Sequence, residues 1–247
     1  MSTTMSTKEG PVGIDRAGGG VRTPGTRGRQ AAGTREAIMA TAEQLFAEHG
    51  VAFVSSRQIS EAAGQGNNAA VGYHFGTKPD LIRAIVRRHD EAIEQFRRQM
   101  VDWVRAEGTD AGTDTGTVRA WVECLVRPLT DHLAAAGHTS WYARFSLQVS
   151  TDPVLREIVT EEVLAAPSLG RISEGLRPGL ASLPPLVRAE REDMVRNLIL
   201  HTCAERERAL AASVDGPRPA WERTAGMLVD AITGLLLAPA SELRTLT

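Results

Sequence analysis

The chain has 247 residues, only 4% of them aromatic, and a formal net charge of -2 with a pI of about 6.3. This length suffices for one large domain or two modest ones, and a composition dominated by Ala, Leu, Arg and Glu favours helices over sheet. The charge balance excludes a basic excess spread over the whole molecule.

Cysteine content and hydropathy exclude further classes of protein. Cys124 and Cys203 share no metal-ligand spacing and are too few for a disulfide framework, so we interpret them as small buried residues in a reducing compartment. No apolar run approaches the roughly 18 residues that a membrane span needs, and the N-terminus lacks the apolar region of a signal peptide. The sequence therefore predicts a cytoplasmic protein without a membrane segment, a cofactor or a metal.

The N-terminal segment has few apolar side chains and a positive charge. Residues 1–33 are rich in Gly, Thr, Ser and Arg, which predicts a disordered tail. Residues 1–35 carry six basic and two acidic residues, a charge of +4, so the remainder carries -6. Two interpretations are open: a solvated tail, or an arm in which Arg22, Arg27 and Arg29 reach a minor groove.

An amphipathic helix is predicted next. Thr34 can cap it, Ile38, Ala42 and Phe46 recur at helical spacing, and Gly50 ends it. A second, short helix follows, because Ser55 and Gln58 have the spacing of a capping box. This helix is predicted to begin at about Ser56 and to stop near Gly64, where positive φ is tolerated.

The third helix is predicted over residues 69–75, with Asn67 or Asn68 as its cap and Gly76 at its end. Two short helices joined by a glycine-containing turn are typical of a helix-turn-helix. Amide side chains at the start of such a helix can contact adenine, whereas Tyr73 and His74 are better suited to phosphates.

A fourth helix begins directly afterwards at the sequence Thr-Lys-Pro-Asp. Thr77 and Asp80 have the spacing of a second capping box, and Pro79 lies in the first turn, where a missing N–H matters little. Lys78 is thereby placed at a helix N-terminus, where a phosphate would meet its charge and free backbone N–H groups.

Residues 34–82 resemble the DNA-binding domain of tetracycline-repressor (TetR) family transcription regulators. The similarity lies in TREAIMATAEQLFAEHG, SSRQISEAAG and AVGYHFGTKPDLI, which occur in the order found in that family. It covers about the first third of the predicted folded part. The turn is one residue longer than is common there, and Gly72 stands where a larger side chain is frequent.

The resemblance implies an all-α fold in which an N-terminal helix-turn-helix domain precedes a helical ligand-binding and dimerisation domain. It implies contacts to double-stranded DNA from residues of the two short helices, the turn and the start of the fourth helix. These are Ser56, Arg57, Asn67, Asn68, Ala69, Tyr73, His74 and Lys78.

The apolar spacing predicts that the fourth helix extends over residues 81–106 and outruns the small domain, so it links two domains. Its alternating charges are interpreted as a solvated, ion-paired face, as are Glu161 and Glu162 and, later, Glu205 and Glu207. We therefore predict a tail at 1–33, a DNA-binding domain at 34–80, a linking helix at 81–106 and a helical domain at 107–247. Within the last, helices are expected at 117–136, 139–150, 153–165, 168–183, 185–212 and 219–239, with Pro178 able to interrupt the fourth of these.

The last two helices have more apolar surface than one face needs, and the resemblance implies that they form a homodimer. It also implies a small-molecule cavity between the linking helix and the helices after it. Each aromatic residue there is individually more typical of a core, but together they are the candidates for the cavity wall. The predicted ligand-binding residues are Phe96, Met100, Trp103, Trp121, Trp141, Tyr142 and Phe145.

The leading hypothesis is a sequence-specific transcriptional repressor that a small-molecule effector releases from a palindromic operator. One alternative is a regulator of the same fold that acts without an effector or as an activator. A remote alternative is an all-helical enzyme, for which no convincing catalytic or metal-ligating constellation occurs in the sequence. Arg144 could select an acidic ligand, although a salt bridge to a glutamate is equally reasonable.

Overall fold

The described residues of the computed structural model are 24–108, 113–212 and 217–240, with side chains from residue 29 onward, and they form α-helices without a strand. None of these helices is long and apolar enough to cross a bilayer. The chain divides into two units between Thr34 and Arg35, and the interactions reported below belong to the second. The helices are α1 Pro24–His49, α2 Ser56–Ala62, α3 Ala70–Phe75, α4 Lys78–Ala106, α5 Thr115–Ala136, α6 Tyr142–Thr151, α7 Pro153–Leu164, α8 Pro167–Leu176, α9 Pro185–Ala211 and α10 Pro217–Leu237.

Helix α1 begins earlier than predicted. It starts at Pro24 and runs through Thr34 without interruption, so the predicted cap at Thr34 is wrong, and so is the disorder predicted for 24–33. Arg29, Gln30 and two alanines favour helix, but Gly25, Gly28 and Gly33 disfavour it, so helix propensity alone does not predict a start at Pro24. The predicted tail over residues 1–23 lies outside the described residues.

Both predicted capping boxes are confirmed. The Gln58 N–H donates to Ser55 Oγ at 3.2 Å, and the Ser55 N–H donates to Gln58 Oε1 at 2.8 Å. At the start of α4, the Asp80 N–H donates to Thr77 Oγ1 at 3.2 Å, and the Thr77 N–H donates to Asp80 Oδ2 at 3.2 Å. Local spacing alone thus determines where the two helices begin.

One continuous apolar core contains residues of the first four helices, α1, α2, α3 and α4, and of the helices that follow. Its fully buried members include Ile38 and Phe46 on α1, Ile59 on α2, Ile85 on α4 and Phe145 on α6. Phe46 and Phe145 stack with ring centroids 6.1 Å apart. A smaller cluster farther along α4 consists of Val101, Val104, Trp121, Cys124 and Ile172.

The face of α4 that was predicted to be solvated is partly buried. Glu94 is 9% exposed and Arg97 5% exposed, and Arg97 donates to Glu94 Oε2 at 3.2 Å. The other oxygen, Glu94 Oε1, accepts from the Ser168 N–H at 3.2 Å and from Ser168 Oγ at 2.7 Å. Helix α8 lacks a side-chain cap of its own, so Glu94 satisfies its N-terminal donors from another helix.

Helix boundaries in the C-terminal half agree with the predicted ones except at two places. A short 3-10 turn over Gly137–Thr139 comes before α6, which therefore starts at Tyr142 instead of residue 139. Helix α8 ends at Leu176, two residues before Pro178, although Arg177 still has helical angles of φ -54° and ψ -44°. Pro178 has no N–H with which to continue the hydrogen bonds of the helix.

Gly175 on α8 is required by close packing, which gives a first prediction. A Cβ atom built on it would lie 2.0 Å from Cε2 of the buried Trp121 ring. Gly175→Ala is therefore expected to destabilise the protein by about 1–3 kcal/mol through overpacking. Gly170→Ala on the same helix is the matched control, since nothing lies within 4 Å of its added Cβ and a helical alanine stabilises by about 0.5–1 kcal/mol. Urea unfolding of both variants measures the difference, and equal midpoints would contradict the packing argument.

Candidate nucleic-acid interface and ligand cavity

Helices α2 and α3 are joined by a turn that only a glycine accommodates without strain. Gly64 has φ +67°, and the Gln65 N–H closes the turn by donating to the Ser60 carbonyl at 3.0 Å. At the start of α3, the Asn67 side chain accepts from the Ala69 N–H at 2.9 Å. Of the two asparagines that were candidates for this position, Asn67 thus orders the turn, while Asn68 is exposed without such a bond.

Ser60 links the two short helices from inside. It is fully buried, donates to the Ser56 carbonyl at 3.0 Å and accepts from the Val71 N–H at 3.4 Å. The sequence analysis did not identify this residue, although a serine between the apolar Ile59 and the small residues of α2 is a signal for a buried polar contact. Its bond to Val71 sets the position of α3 against α2.

The outer surface of the helix-turn-helix carries exposed side chains that do not belong to the apolar core. Tyr73 and Phe53 are each 82% exposed. Phe53 lies in the 3-10 turn Val51–Phe53 before α2, and the sequence analysis did not select it. The predicted DNA-contacting residues fall into two groups: exposed are Arg57, Asn67, Asn68, Ala69 and Tyr73, and partly buried are Ser56, His74 and Lys78.

Arg57, Tyr73 and His74 also contact other residues of the protein. Arg57 donates to Glu61 at 2.7 Å, an exposed pair one helical turn apart, which water screens. The Tyr73 and His74 rings meet edge to face at 4.9 Å, and the backbone carbonyl of His74 accepts from Arg35. The backbone of His74 is therefore hydrogen-bonded to α1, and its ring contacts the ring of Tyr73.

Lys78 is directed inward. Its ammonium group donates to the Val51 carbonyl and lies 5.6 Å from the centroid of the Phe46 ring. Burial lowers the pKa of Lys78 below its usual range. In this arrangement Lys78 holds the turn before α2 against the start of α4, and a phosphate contact would require the side chain to leave these partners.

The predicted ligand-binding aromatics are dispersed. Phe96 and Trp103 are exposed on α4, at 51% and 62%. Met100 and Trp121 belong to the smaller core cluster, and Phe145 to the main one. Trp141 packs under the Arg144 guanidinium at 4.2 Å. Of the seven predicted residues, only Tyr142 lines the enclosed cavity described next.

This cavity, of about 260 Å³, lies between α4, α5, α6, α7 and α9. Half of its lining residues are aliphatic, and it shares Leu125, Leu164, Leu169, Arg196, Ile199 and Leu200 with a more open groove of about 660 Å³ between α8 and α9. Its polar end is formed by Asp90 and Arg97 of α4. This cavity borders the linking helix, where the sequence analysis expects one, and of the residues expected to bind a ligand its lining includes Tyr142.

A polar network connects the cavity wall to α1. The Tyr142 ring stacks on His89 of α4 with centroids 3.8 Å apart. His89 Nε2 lies 2.9 Å from Glu43 Oε2 on α1, and His89 Nδ1 lies 2.8 Å from His132 Nε2 on α5. Burial lowers the pKa of His132 to about 4, so this imidazole is neutral near pH 7 and can accept from His89.

A second connection joins α4 to α7. Glu162 accepts from Arg87 at 2.6 and 2.8 Å with both of its oxygens, and Arg83 approaches it at 3.1 Å. The interpretation of Glu162 as part of a solvated face is therefore wrong. Because α7 also supplies Val159 and Val163 to the cavity wall, the same helix contacts the cavity and the N-terminal half of α4.

The described residues offer little for catalysis. They contain no group of three His, Cys, Asp or Glu side chains that could hold a metal ion. Burial raises the pKa of the Cys124 thiol to about 11 and that of Cys203 to about 12, so neither forms a reactive thiolate near neutral pH.

The chain was compared with proteins of known structure and with curated proteins. Solved structures similar to the chain include a TetR-family transcriptional regulator from Mesorhizobium loti (16% identity, 83% of this chain and 98% of that one, TM-score 0.46). Two others are PfmR from Thermus thermophilus (19%, 84% and 97%, 0.42) and LfrR from Mycobacterium smegmatis in complex with proflavine (19%, 87% and 99%, 0.42). A search among curated proteins gave no match.

The family comparison concerns the helix-turn-helix itself. Residues 38–85 match the family described as "Bacterial regulatory proteins, tetR family". This range contains α2, α3, the turn between them and the start of α4. The resemblance is thus confirmed over residues 38–85, which match that family and include the helix-turn-helix, and the described residues have the all-α fold predicted from the sequence.

Proposed function

We propose that the protein is a sequence-specific DNA-binding transcriptional regulator that acts as a repressor. The supporting observation is the exposed face of α3 within the segment that matches the tetR family. Tyr73 is exposed on this face and Asn68 is exposed in the turn just before α3, and a phenol and an amide are suited to phosphates and base edges. The function involves binding and release of DNA and no catalysis.

We further propose that two copies associate through α9 and α10. Met194 on α9 is 52% exposed and Met227 on α10 is 66% exposed, although most other large apolar residues of these helices are buried or half-buried. A two-fold dimer would present two α3 helices to successive major grooves, which fits a palindromic operator. We also propose the domain division expected from the sequence, with a DNA-binding domain at 34–80 and a helical domain at 107–247 linked by α4.

The effector belongs to the cavity beside α4. A ligand that prefers one position of α4 and α7 would change the spacing of the two α3 helices, and only such a difference in affinity can lower DNA binding. The Tyr142–His89–Glu43 contacts and the Glu162 pairs provide routes from the cavity wall to α1 and α4.

The test is selection of bound duplexes from a random DNA library by the purified protein at near-physiological salt. We expect an enriched palindrome that Tyr73→Ala binds about ten- to a hundredfold more weakly, since a hydrogen bond to a charged group contributes about 1.5–3 kcal/mol. Phe96→Ala is the matched control, because Phe96 is also an exposed aromatic but lies on the second half of α4. Binding that follows only salt concentration, without an enriched sequence, would refute the proposal.

A further inference from the structure

Asp90 stands out among the charged residues of α4 because it has no partner. Its Oδ2 atom is buried and unbonded, and the residue forms no hydrogen bond or ion pair with any described residue. Native proteins satisfy almost all such groups. A carboxylate left unpaired in a cavity wall can therefore be satisfied by a cationic or hydrogen-bonding group of a bound ligand.

The charges nearest to Asp90 are paired with one another and not with Asp90. Arg97 donates to Glu94 Oε2 at 3.2 Å, and Arg98 lies 4.0 Å from Glu94 Oε1. Glu162 is paired with Arg83 and Arg87. The Asp90 carboxylate is thus left without an ion-pair partner among the described residues. Away from bulk water, an added positive charge is attracted to such a carboxylate more strongly than at the surface.

Arg97 is a second residue at this end of the cavity with an unsatisfied polar atom. The residue is 5% exposed, lines the cavity, and its Nε atom is buried without a hydrogen-bond partner. The two other arginines of the wall, Arg156 and Arg196, are exposed, and Arg196 is paired with Asp193 at 2.7 Å. Water screens these outer charges, so they favour an anion far less than Asp90 favours a cation.

The aliphatic half of the wall defines the body of the ligand. Ile93, Leu129, Val159, Val163 and Leu169 offer no polar side-chain atom, whereas Ser146, Ser150, Thr160 and Asn197 add polar groups elsewhere in the wall. The volume of about 260 Å³ lies just below the roughly 300–1,000 Å³ of sites for drug-sized ligands, which suits a molecule with one ring or a short chain.

We propose that this cavity binds a small apolar amine as a monocation, with its ammonium group on the Asp90 carboxylate and its apolar body among the aliphatic residues of α5 and α7. The inference rests on the proposed function only in that this ligand would be the effector of the regulator. Binding itself involves the protein alone and can be measured without DNA.

The probes are 4-phenylbutylamine, 4-phenylbutanol and 4-phenylbutanoate, which share one body and differ in charge. Calorimetric titration of the full chain is expected to show the amine binding at least tenfold more tightly than the alcohol and the acid. Asp90→Asn is expected to weaken amine binding about ten- to a hundredfold and to leave the alcohol unchanged. Glu91→Gln, an exposed carboxylate next in the chain that does not line the cavity, is the matched control and should bind as the wild type does.

A second variant tests the location. Val159→Trp places bulk in the cavity and is expected to abolish binding of the amine, with folding checked by circular dichroism. Equal affinity for amine and alcohol, no amine binding at millimolar concentration, or unchanged binding by Asp90→Asn or by a folded Val159→Trp protein would each overturn the inference.

The outcome is separable from that of the DNA selection. An enriched operator together with no preference for the amine would retain the regulator and reject the ligand class. Asp90-dependent amine binding by a protein that enriches no DNA sequence would retain the site and reject the regulator.

Discussion

Glu207→Ala is expected to lower the free energy of unfolding by about 3–5 kcal/mol, which is the usual effect of removing one partner of a buried ion pair. Glu207 is 3% exposed. Its oxygens accept from Ser140 Oγ at 2.6 Å, from the N–H groups of Ala143 and Arg144 at 3.1 and 2.9 Å, and from Arg144 Nε at 3.1 Å. Helix α6 has no side-chain cap from its own sequence, so the substitution leaves its N-terminal donors and a guanidinium unsatisfied.

Glu205→Ala is the matched control for this prediction. Glu205 lies two positions before Glu207 on the same helix, is exposed, and pairs with Arg208. Such surface pairs contribute about 0–1 kcal/mol. Urea unfolding with a common m-value compares the two variants. If Glu207→Ala lost no more stability than Glu205→Ala, the capping role assigned to Glu207 would be untenable.

Glu207 also shows which structural features cannot be predicted from local sequence. The capping boxes at Ser55 and Thr77 were predicted correctly because both partners lie three residues apart. Glu207 caps a helix that begins more than sixty residues earlier in the chain, and its spacing to Glu205 suggested a solvated face. Only tertiary packing determines that one of the two glutamates is buried, and this packing also pairs Arg144 with glutamate and not with a ligand.

The lining of the cavity beside α4 differs from the expected set of aromatic residues for a related reason. Aromatic residues were chosen because they are common in binding sites, but Trp121 is held by close packing against Gly175 and Phe145 by stacking on Phe46. The wall of this cavity combines aliphatic and polar residues, and Asp90 among them occurs in a run of alternating charges on α4. A periodic pattern predicts which residues share a helix face, but it does not predict which part of that face a later helix covers.

The DNA-binding motif was the most predictable part, because its helices are short and their limits are set by local caps and glycines. Within this motif, the structure differs from the sequence prediction at side chains whose partners lie far away in the sequence. Lys78 is the clearest example, since the proposed phosphate ligand donates to the Val51 carbonyl 27 positions earlier. Ser60 was missed because its bond to Val71 crosses the turn.

Asp90→Asn is expected to stabilise the protein at pH 7.5 by about 3 kcal/mol and to have almost no effect near pH 4. Burial, the largest cause, raises the pKa of Asp90 to about 6, although the Arg97 charge opposes this. The unfolded chain releases the proton near its usual pKa of about 3.9, so between these values the folded state binds more protons and stability falls as pH rises. The difference between these two pKa values corresponds to a loss of about 3 kcal/mol in the free energy of unfolding above pH 7. The neutral amide of Asn cannot ionise, so the variant does not suffer this loss.

Urea midpoints of wild type, Asp90→Asn and the exposed control Glu91→Gln, measured from pH 4 to pH 7.5, test this expectation. The difference between wild type and Asp90→Asn should grow through pH 5 and 6 and level off above 7, whereas the control should remain parallel to the wild type. A pH-independent difference would mean that Asp90 is not desolvated in the folded state. The expected result has a functional meaning: an ionised, unpaired carboxylate in the cavity wall destabilises the fold, and a cationic ligand that pairs with it would restore that stability as binding energy.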